Sequence, residues 1–476
     1  MPATEHHKGF VATIATVAAM GGLLFGFDTG VISGALNFLK DGWNLSSSQL
    51  EWVTSSVLAG AVVSAALSGK LTDVFGRKKV IILTAVIFAV GAIVTSIAPS
   101  ITVLIVGRVI IGVAIGIASF AVPLYISEIS PARSRGALVS LNQLMIATGI
   151  LVSYISDYLI ADNSNLECWR TMFLVGFFPA VVLFIGMLFL PDTPRWLINQ
   201  GRIEEGLAIL RKTEAPQLVD EAFAAIRTEA KTNQHEPVGA KEILKPWLRT
   251  AVLIGMGIMF FQQFTGINAI IYYSPVIFKM AGFVGNAESI LPSVIVGVVN
   301  VAFTVVSIAL LDRIGRRRIY FWGVSGMVVA LVALGTAFLY QDSLGASAKL
   351  LTVSSIVVYI MFFAVSLGPL GWLIISEIYP MRVRGIGMSL GSLWNWLFNL
   401  LVAFTFLKLV SALSPAGAFW LYAVVGVFGL VWGYYFLPET KGHTLEYIED
   451  HWRRGGTPRE LASSTNTAAL VHPNPT

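Results

Sequence analysis

The chain has 476 residues, 55% of them hydrophobic and 12% charged, with a formal net charge of +5 and a mean hydropathy of +0.75. Soluble domains carry about 25% charged residues, so an ordinary soluble enzyme is excluded, and a basic excess confined to loops does not point to nucleic acid. Cys168 is the only cysteine, which excludes an intramolecular disulfide and a Cys-based metal site.

A helix needs about 20 apolar residues to cross a bilayer. Twelve such spans are predicted, over 10–36, 52–71, 80–98, 100–123, 136–160, 170–190, 250–280, 289–311, 318–340, 350–376, 385–410 and 416–437. A polar tail, 1–9, precedes them. The first span is too long for a signal segment and lacks a small-residue cleavage site, so it is read as retained. The halves 10–193 and 249–437 flank a linker, 194–248, in which Glu204 to Lys212 and Asp220 to Lys231 have the spacing of short amphipathic helices. The tail 438–476 turns Ser-, Thr- and Pro-rich after Gly455 and is expected to be disordered.

Lys and Arg set the orientation. Lys70, Arg77, Lys78 and Lys79, then Arg133 and Arg135, then Arg313 with Arg316 to Arg318, then Arg382 and Arg384 fall in alternate loops, whereas the opposite loops hold little beyond Lys40, Arg170 and Lys349. The positive-inside rule then puts both termini in the cytoplasm. Asn44-Leu45-Ser46 in the first outer loop matches a glycosylation sequon, a tripeptide common by chance.

Span 1 carries Asp28 and span 4 carries Arg108, each isolated in a long uncharged run. Charges inside a span cost several kcal/mol unless paired or solvated, and are functional candidates by default. A pair between them would make proton binding at Asp28 depend on whether Arg108 faces it, which couples a proton to conformation. The alternatives are an Asp28 in outer water, a static pair, or an Arg108 bonded to backbone carbonyls. All six histidines lie outside the spans, so a histidine proton relay is not expected.

Span 7 carries Gln262, Gln263, Thr265 and Asn268, with Tyr273 on the Gln262 face at about 100° per residue. Carboxamides donate and accept without charge, which suits a neutral ligand dense in hydroxyls. Their convergence needs a bend near Gly266. Gln143, Asn300, Asn395 and Asn399 are further isolated polar residues, each as readily a tie between helices as a ligand contact. A second break is expected at Leu367-Gly368-Pro369 in span 10, where Trp372, with Trp396 of span 11, offers an apolar face and an N–H to a sugar ring.

The string Ser127-Glu128-Ile129-Ser130-Pro131-Ala132-Arg133-Ser134-Arg135-Gly136 returns 249 positions later as Ser376-Glu377-Ile378-Tyr379-Pro380-Met381-Arg382-Val383-Arg384-Gly385. Asp73-Val74-Phe75-Gly76-Arg77-Lys78 likewise echoes in Asp312-Arg313-Ile314-Gly315-Arg316-Arg317. Related halves in a membrane chain suggest a transporter working by alternating access. Glu128 with Arg133 or Arg135, Glu377 with Arg382 or Arg384, Asp73 with Arg77 and Asp312 with Arg316 are expected to form cytoplasmic latches; the rival reading is solvated loops carrying only topology signal. No phosphate loop, catalytic triad or zinc spacing occurs, and the linker is too short for a nucleotide-binding domain.

In combination these motifs resemble the sugar porter family of the major facilitator superfamily, over residues 9–450. The resemblance rests on Gly26 to Ala35, the two Asp-x-x-Gly-Arg loops, Gly107-Arg108, the two repeated strings, Pro191 to Leu197, Gln262 to Asn268 with Tyr272-Tyr273, and Pro438 to Gly442. It implies an all-α membrane protein of twelve helices in two six-helix bundles, and a sugar site at the bundle interface. The implied sugar contacts are Gln143, Gln262, Gln263, Asn268, Asn300, Trp372 and Asn395. Asp28 is similar to the proton-coupling acid of bacterial monosaccharide symporters, with Arg108 as its counterpart. Departures are Asp192-Thr193 where the family often has Glu-Ser, and Asn395 before Trp396 where some symporters have Gln. The resulting expectation is a proton–monosaccharide symporter in a bacterial inner membrane, acting as a monomer, with no cofactor and no metal. A uniporter or polyol carrier, and a non-transporting nutrient sensor, are the rival readings.

Overall fold

The computed structural model describes residues 3–131, 134–235, 240–380, 383–443 and 445–461, with the side chains of all of these but 3–8, 229–235, 240–241, 312 and 445–446. Among the described residues every regular element is helical. The first half comprises α1 (Ala3–Trp43), α2 (Ser47–Phe75), α3 (Arg77–Ser96), α4 (Ile101–Ile129), α5 (Arg135–Ile160), and α6 (Trp169–Val175) with α7 (Phe177–Phe189), which form one span. The linker folds as α8 (Pro194–Asn199), α9 (Ile203–Thr213) and α10 (Val219–His235), around a small core of Ile198, Leu210, Val219 and Ile226.

In the second half α11 (Arg249–Phe264) and α12 (Ile267–Met280) form one span. Next come α13 (Asn286–Ile314), α14 (Arg316–Leu339), the short α15 (Gln341–Leu344), and α16 (Ala346–Val365) with α17 (Leu367–Ile378) as one span. They are followed by α18 (Arg384–Phe436) and α19 (Leu445–Arg453). Eleven helical stretches among the described residues are long and apolar enough to cross a membrane. The last runs for 53 residues but contains Ser414 at φ 66 just before Pro415, so it is two spans joined at a kink. Proline lacks the N–H a continuing helix needs and pushes its predecessor out of the α region. The spans thus number twelve, and the chain is an all-α membrane protein of two six-helix units.

Contacts divide the chain into Met1–Leu45 with Trp52–Val238, and Ser46–Glu51 with Gly239–Thr476. Within the first unit α1 packs along α5 and α3 along α4; within the second, α11 packs along α18 and α14 along α16. Third-with-fourth packing therefore occurs in both units, as a duplicated chain requires. Large apolar side chains such as Phe189, Trp322 and Leu159 are 83%, 77% and 76% exposed. A soluble monomer rarely exposes such surface on this scale; facing lipid, it needs no cover.

Both predicted breaks exist. Gly266 has φ 93 and ψ 14, a left-handed conformation that glycine enters without Cβ strain, and it separates α11 from α12. In span 10 the helix breaks at Ser366, φ −116 and ψ −96, just ahead of the Leu367-Gly368-Pro369 triplet.

Candidate functional site

In the first unit, α1 brings Asp28 to Arg108 of α4. Arg108 Nη1 donates to Asp28 Oδ1, and the two residues are 0% and 2% exposed. The guanidinium lies 5.7 Å from the centroid of the Phe173 ring. Its Nε and Nη2 have no hydrogen-bond partner. One buried carboxylate thus meets a cation that has further donors to spare. Removing the charge of either partner would leave the other buried and unpaired. On α5 Gln143 is half-buried, and its carboxamide makes no protein hydrogen bond among the described residues.

In the second unit the carboxamides gather at the two helix breaks. Gln262 Nε2 donates to the carbonyls of Leu367 at 2.7 Å and Gly368 at 3.1 Å, at the start of α17. Gln262 Oε1 accepts from Asn395 Nδ2 at 2.6 Å. Asn395 therefore reaches the cluster through Gln262, and both are buried. Asn268 Nδ2 donates to Gln263 Oε1 at 2.6 Å across the Gly266 break, a bond that uses neither Gln263 Nε2 nor Asn268 Oδ1. The carbonyl of Thr265, freed by the same break, accepts from Tyr359 Oη at 2.9 Å. Breaks in spans are tolerated where the freed backbone groups find such partners. Asn300 and Trp372 are half-buried, on α13 and α17.

Two expected sugar contacts are placed otherwise. Tyr273 is 0% exposed and its hydroxyl donates to the carbonyl of Ala403 at 2.8 Å, so it ties α12 to α18. Trp396 is 1% exposed, a core side chain. Tyr273 and Gln262 both reach α18, Gln262 through Asn395 and Tyr273 through the carbonyl of Ala403, so the phenol is committed to a tie between helices. Gln263→Ala is accordingly expected to weaken sugar binding about tenfold, the value of one or two hydrogen bonds to a neutral ligand. Tyr273→Phe should cost about 1 kcal/mol of stability and leave affinity alone. Equilibrium binding and thermal unfolding on the two variants distinguish them.

The repeated strings also pair differently from expectation. Arg77 Nη2 donates to Glu128 Oε1 at 3.0 Å, and Arg77 approaches Asp73 at 3.2 Å. In the second unit Arg316 Nη2 and Nε donate to Glu377 at 2.8 and 3.2 Å. The partner of each string's glutamate is thus the arginine of the Asp-x-x-Gly-Arg loop. Of the strings' own arginines, Arg135 is exposed and acts electrostatically on Glu214 of the linker, and Arg384 is half-buried on α18. Burial pushes the Glu214 carboxyl up, and Arg135 opposes this. Arg133, Arg382 and the side chain of Asp312 lie outside the described residues. The physical reason is placement at helix ends. Arg77 opens α3 and Glu128 closes α4, each on the end of its helix where the dipole disfavours its charge. Pairing offsets both penalties.

Four further residues, none of them among the expected gate residues, complete these networks. Asp192 Oδ1 accepts from the backbone N–H groups of Arg77 at 3.1 Å and Lys78 at 3.4 Å, capping α3 from 115 positions away. Thr193 Oγ1 donates to Glu128 Oε2 at 2.6 Å. Glu439 accepts in the same way from Arg316 N at 3.0 Å and Arg317 N at 3.1 Å, and Thr440 Oγ1 donates to Glu377 Oε2 at 2.5 Å. The N-caps of α3 and α14 are Gly76 at φ 89 and Gly315 at φ 98. Neither has a side chain to cap with, and a Cβ would lie 2.4 Å from Asp192 and 2.7 Å from Glu439. Burial pushes the Asp192 carboxyl up, against the pull of the N–H groups of Thr193, Lys78 and Arg77. The signal was in the sequence: Pro191-Asp192-Thr193 returns as Pro438-Glu439-Thr440, almost in register with the strings.

Residues 14–452 match the family model described as "Sugar (and other) transporter". The chain belongs to this sugar transporter family. It is accordingly a multi-pass membrane transporter and not an enzyme. The transporter is 39% identical to the galactose-proton symporter of Escherichia coli strain K12, over 96% of this chain and 97% of that protein. It is 38% identical to the major myo-inositol transporter IolT of Bacillus subtilis strain 168, over 94% and 95%. Among solved structures, the proton:xylose symporter XylE bound to 6-bromo-6-deoxy-D-glucose superposes with a TM-score of 0.80 at 32% identity, covering 94% of this transporter and 100% of that chain.

Proposed function

We propose that this transporter is a secondary active carrier that imports a monosaccharide together with a proton by alternating access. The observation that carries the reading is the buried Asp28–Arg108 pair, a proton-titratable contact inside a span with no other cation on the carboxylate. Similarity to a galactose-proton and a proton:xylose symporter points the same way. When Asp28 takes a proton, the attraction to Arg108 ends and Arg108 turns its spare donors elsewhere. Gln263 Nε2 and Asn268 Oδ1, with the bridge from Gln262 to Asn395, supply donors and acceptors for sugar hydroxyls. Asn300 and Trp372 are candidate contacts of the same unit, and Gln143 is that of the first unit. The networks at Arg77 and Arg316 brace the ends of their units as cytoplasmic gate elements.

The loop distribution of Lys and Arg supports cytoplasmic termini, and a bacterial inner membrane with a monomer as the working unit is the setting proposed. The division proposed is a tail 1–9, a bundle 10–193, a linker 194–248, a bundle 249–437 and a tail 438–476. Adding sugar to cells in weakly buffered medium tests the coupling. Symport alkalinises the medium as protons enter with sugar; an unchanged pH at measured uptake establishes uniport. Similarity to the myo-inositol transporter supports a polyol as the rival substrate. A competition uptake panel of hexoses, pentoses and inositol decides between them.

A further inference from the structure

The first unit holds a second buried carboxylate. Asp157, three residues before the end of α5, is 0% exposed, and neither Oδ1 nor Oδ2 has a hydrogen-bond partner. It points at α1: a Cβ placed on Gly34 would lie 2.4 Å from Asp157 Oδ2, so only a glycine lets the carboxyl fit. The seam is equally close farther along, where a Cβ on Gly26 would lie 1.9 Å from the carbonyl of Ile146. Gly34 is six residues from Asp28, which is about 9 Å along the α1 axis.

The titratable and charged groups of the elements packed on α5 do not neutralise Asp157. On α1, Asp28 is committed to Arg108 of α4, and Lys40 and Asp41 are exposed. At the start of α6, Arg170 is held by Glu167 and by the carbonyls of Ser96 and Ala98. Cys168 lies within electrostatic range of Asp157 and is itself an acid. Tyr154 and Tyr158 on α5 itself supply no cation. An ionised carboxylate sealed from water without donor or cation costs many kcal/mol, whereas the neutral acid costs only what an unpaired polar group does.

We propose that Asp157 is a second proton-binding site of this transporter, separate from the Asp28–Arg108 pair, occupied while α1 and α5 are packed as here and emptied when that seam loosens. An ionised Asp157 would draw water or a cation into the close α1–α5 seam, so losing this proton and parting α1 from α5 are the same event. The proposal rests on the transporter reading, and on Asp28 as the coupled acid only in its second arm.

The first arm is infrared difference spectroscopy between acid and alkaline buffer on the purified full chain in lipid. The expected result is a carbonyl-stretch band of a protonated carboxyl that persists in D28N and is absent in D157N, or in D157S should the D157N variant fail to fold. An unchanged band in both Asp157 variants overturns the proposal and leaves Asp157 ionised within a water cluster with Ser33 Oγ and Trp169 Nε1, which also lack hydrogen-bond partners. The second arm compares sugar exchange in D28N and D28N/D157N vesicles across the same pH range. D28N exchange should fall about tenfold per pH unit on the alkaline limb, the signature of one proton, and the double variant should lose that slope. A flat D28N profile, or an equal slope in both, refutes the coupling of Asp157 to movement. Failure of symport itself would appear separately, as absent alkalinisation by the unaltered transporter.

Discussion

Asp28→Asn is expected to abolish accumulation of sugar against its gradient while sugar-for-sugar exchange persists. The carboxamide keeps an oxygen facing Arg108 Nη1 but has no proton to gain or lose within the working range. Arg108 is 0% exposed and would then lack a counter-ion. Removing one member of a buried pair costs about 3–5 kcal/mol, so the variant should also unfold more readily, and rates must be taken per folded molecule. The decisive measurement is uptake into proteoliposomes under an imposed pH gradient, beside counterflow with no gradient. D28N vesicles that still concentrate sugar under the gradient would move the coupling site elsewhere. Counterflow should survive, because exchange returns the carrier loaded and needs no change of charge at position 28.

The second large effect concerns the two network glutamates, and it distinguishes units that the repeat makes look equivalent. The Glu128 and Arg77 side chains are 5% and 9% exposed. Those of Glu377 and Arg316 are 21% and 10% exposed. Glu128→Ala leaves Arg77 with the carbonyl of Thr72 at 3.1 Å and the exposed Asp73 carboxylate. It should cost about 3–5 kcal/mol, the range for breaking a buried pair. Glu377→Ala should cost less, because water screens the wetter pair. Thermal unfolding of both variants in lipid gives the order directly, and equal losses would show that the exposure difference has no energetic meaning. Each variant also strands a threonine hydroxyl, Thr193 or Thr440, so that contribution cancels in the comparison.

Much of this molecule is legible in its residues. Membrane spanning follows from the length of the apolar runs, because backbone polar groups in lipid must be satisfied within a helix. The duplication follows from the returning strings, and both breaks were marked by their glycines and proline. Asp28 and Arg108 were recognisable as partners because each is expensive alone. Hydrogen-bond commitments were not legible. Tyr273 was grouped with Gln262 as a sugar contact, but its hydroxyl is spent on the carbonyl of Ala403. Trp396 follows a site carboxamide in sequence and still belongs to the core, since adjacent helical residues point about 100° apart. Glu128 was matched to arginines near it in sequence, and its pairing with Arg77 of another helix went unseen.

The sequence by itself determined the class of protein, the number of spans, the two-fold repeat and the presence of an acid and a base inside the first half. These depend on the cost of placing a group in lipid, which is a property of each residue and its neighbours along the chain. Only the tertiary structure decided which donors meet which acceptors. It supplied the capping of α3 by Asp192 and of α14 by Glu439, the tie from Gln262 to Asn395, and the isolation of Asp157 against Gly34. Those depend on distances between helices remote in sequence, and a hydrogen bond is lost within an ångström of misplacement.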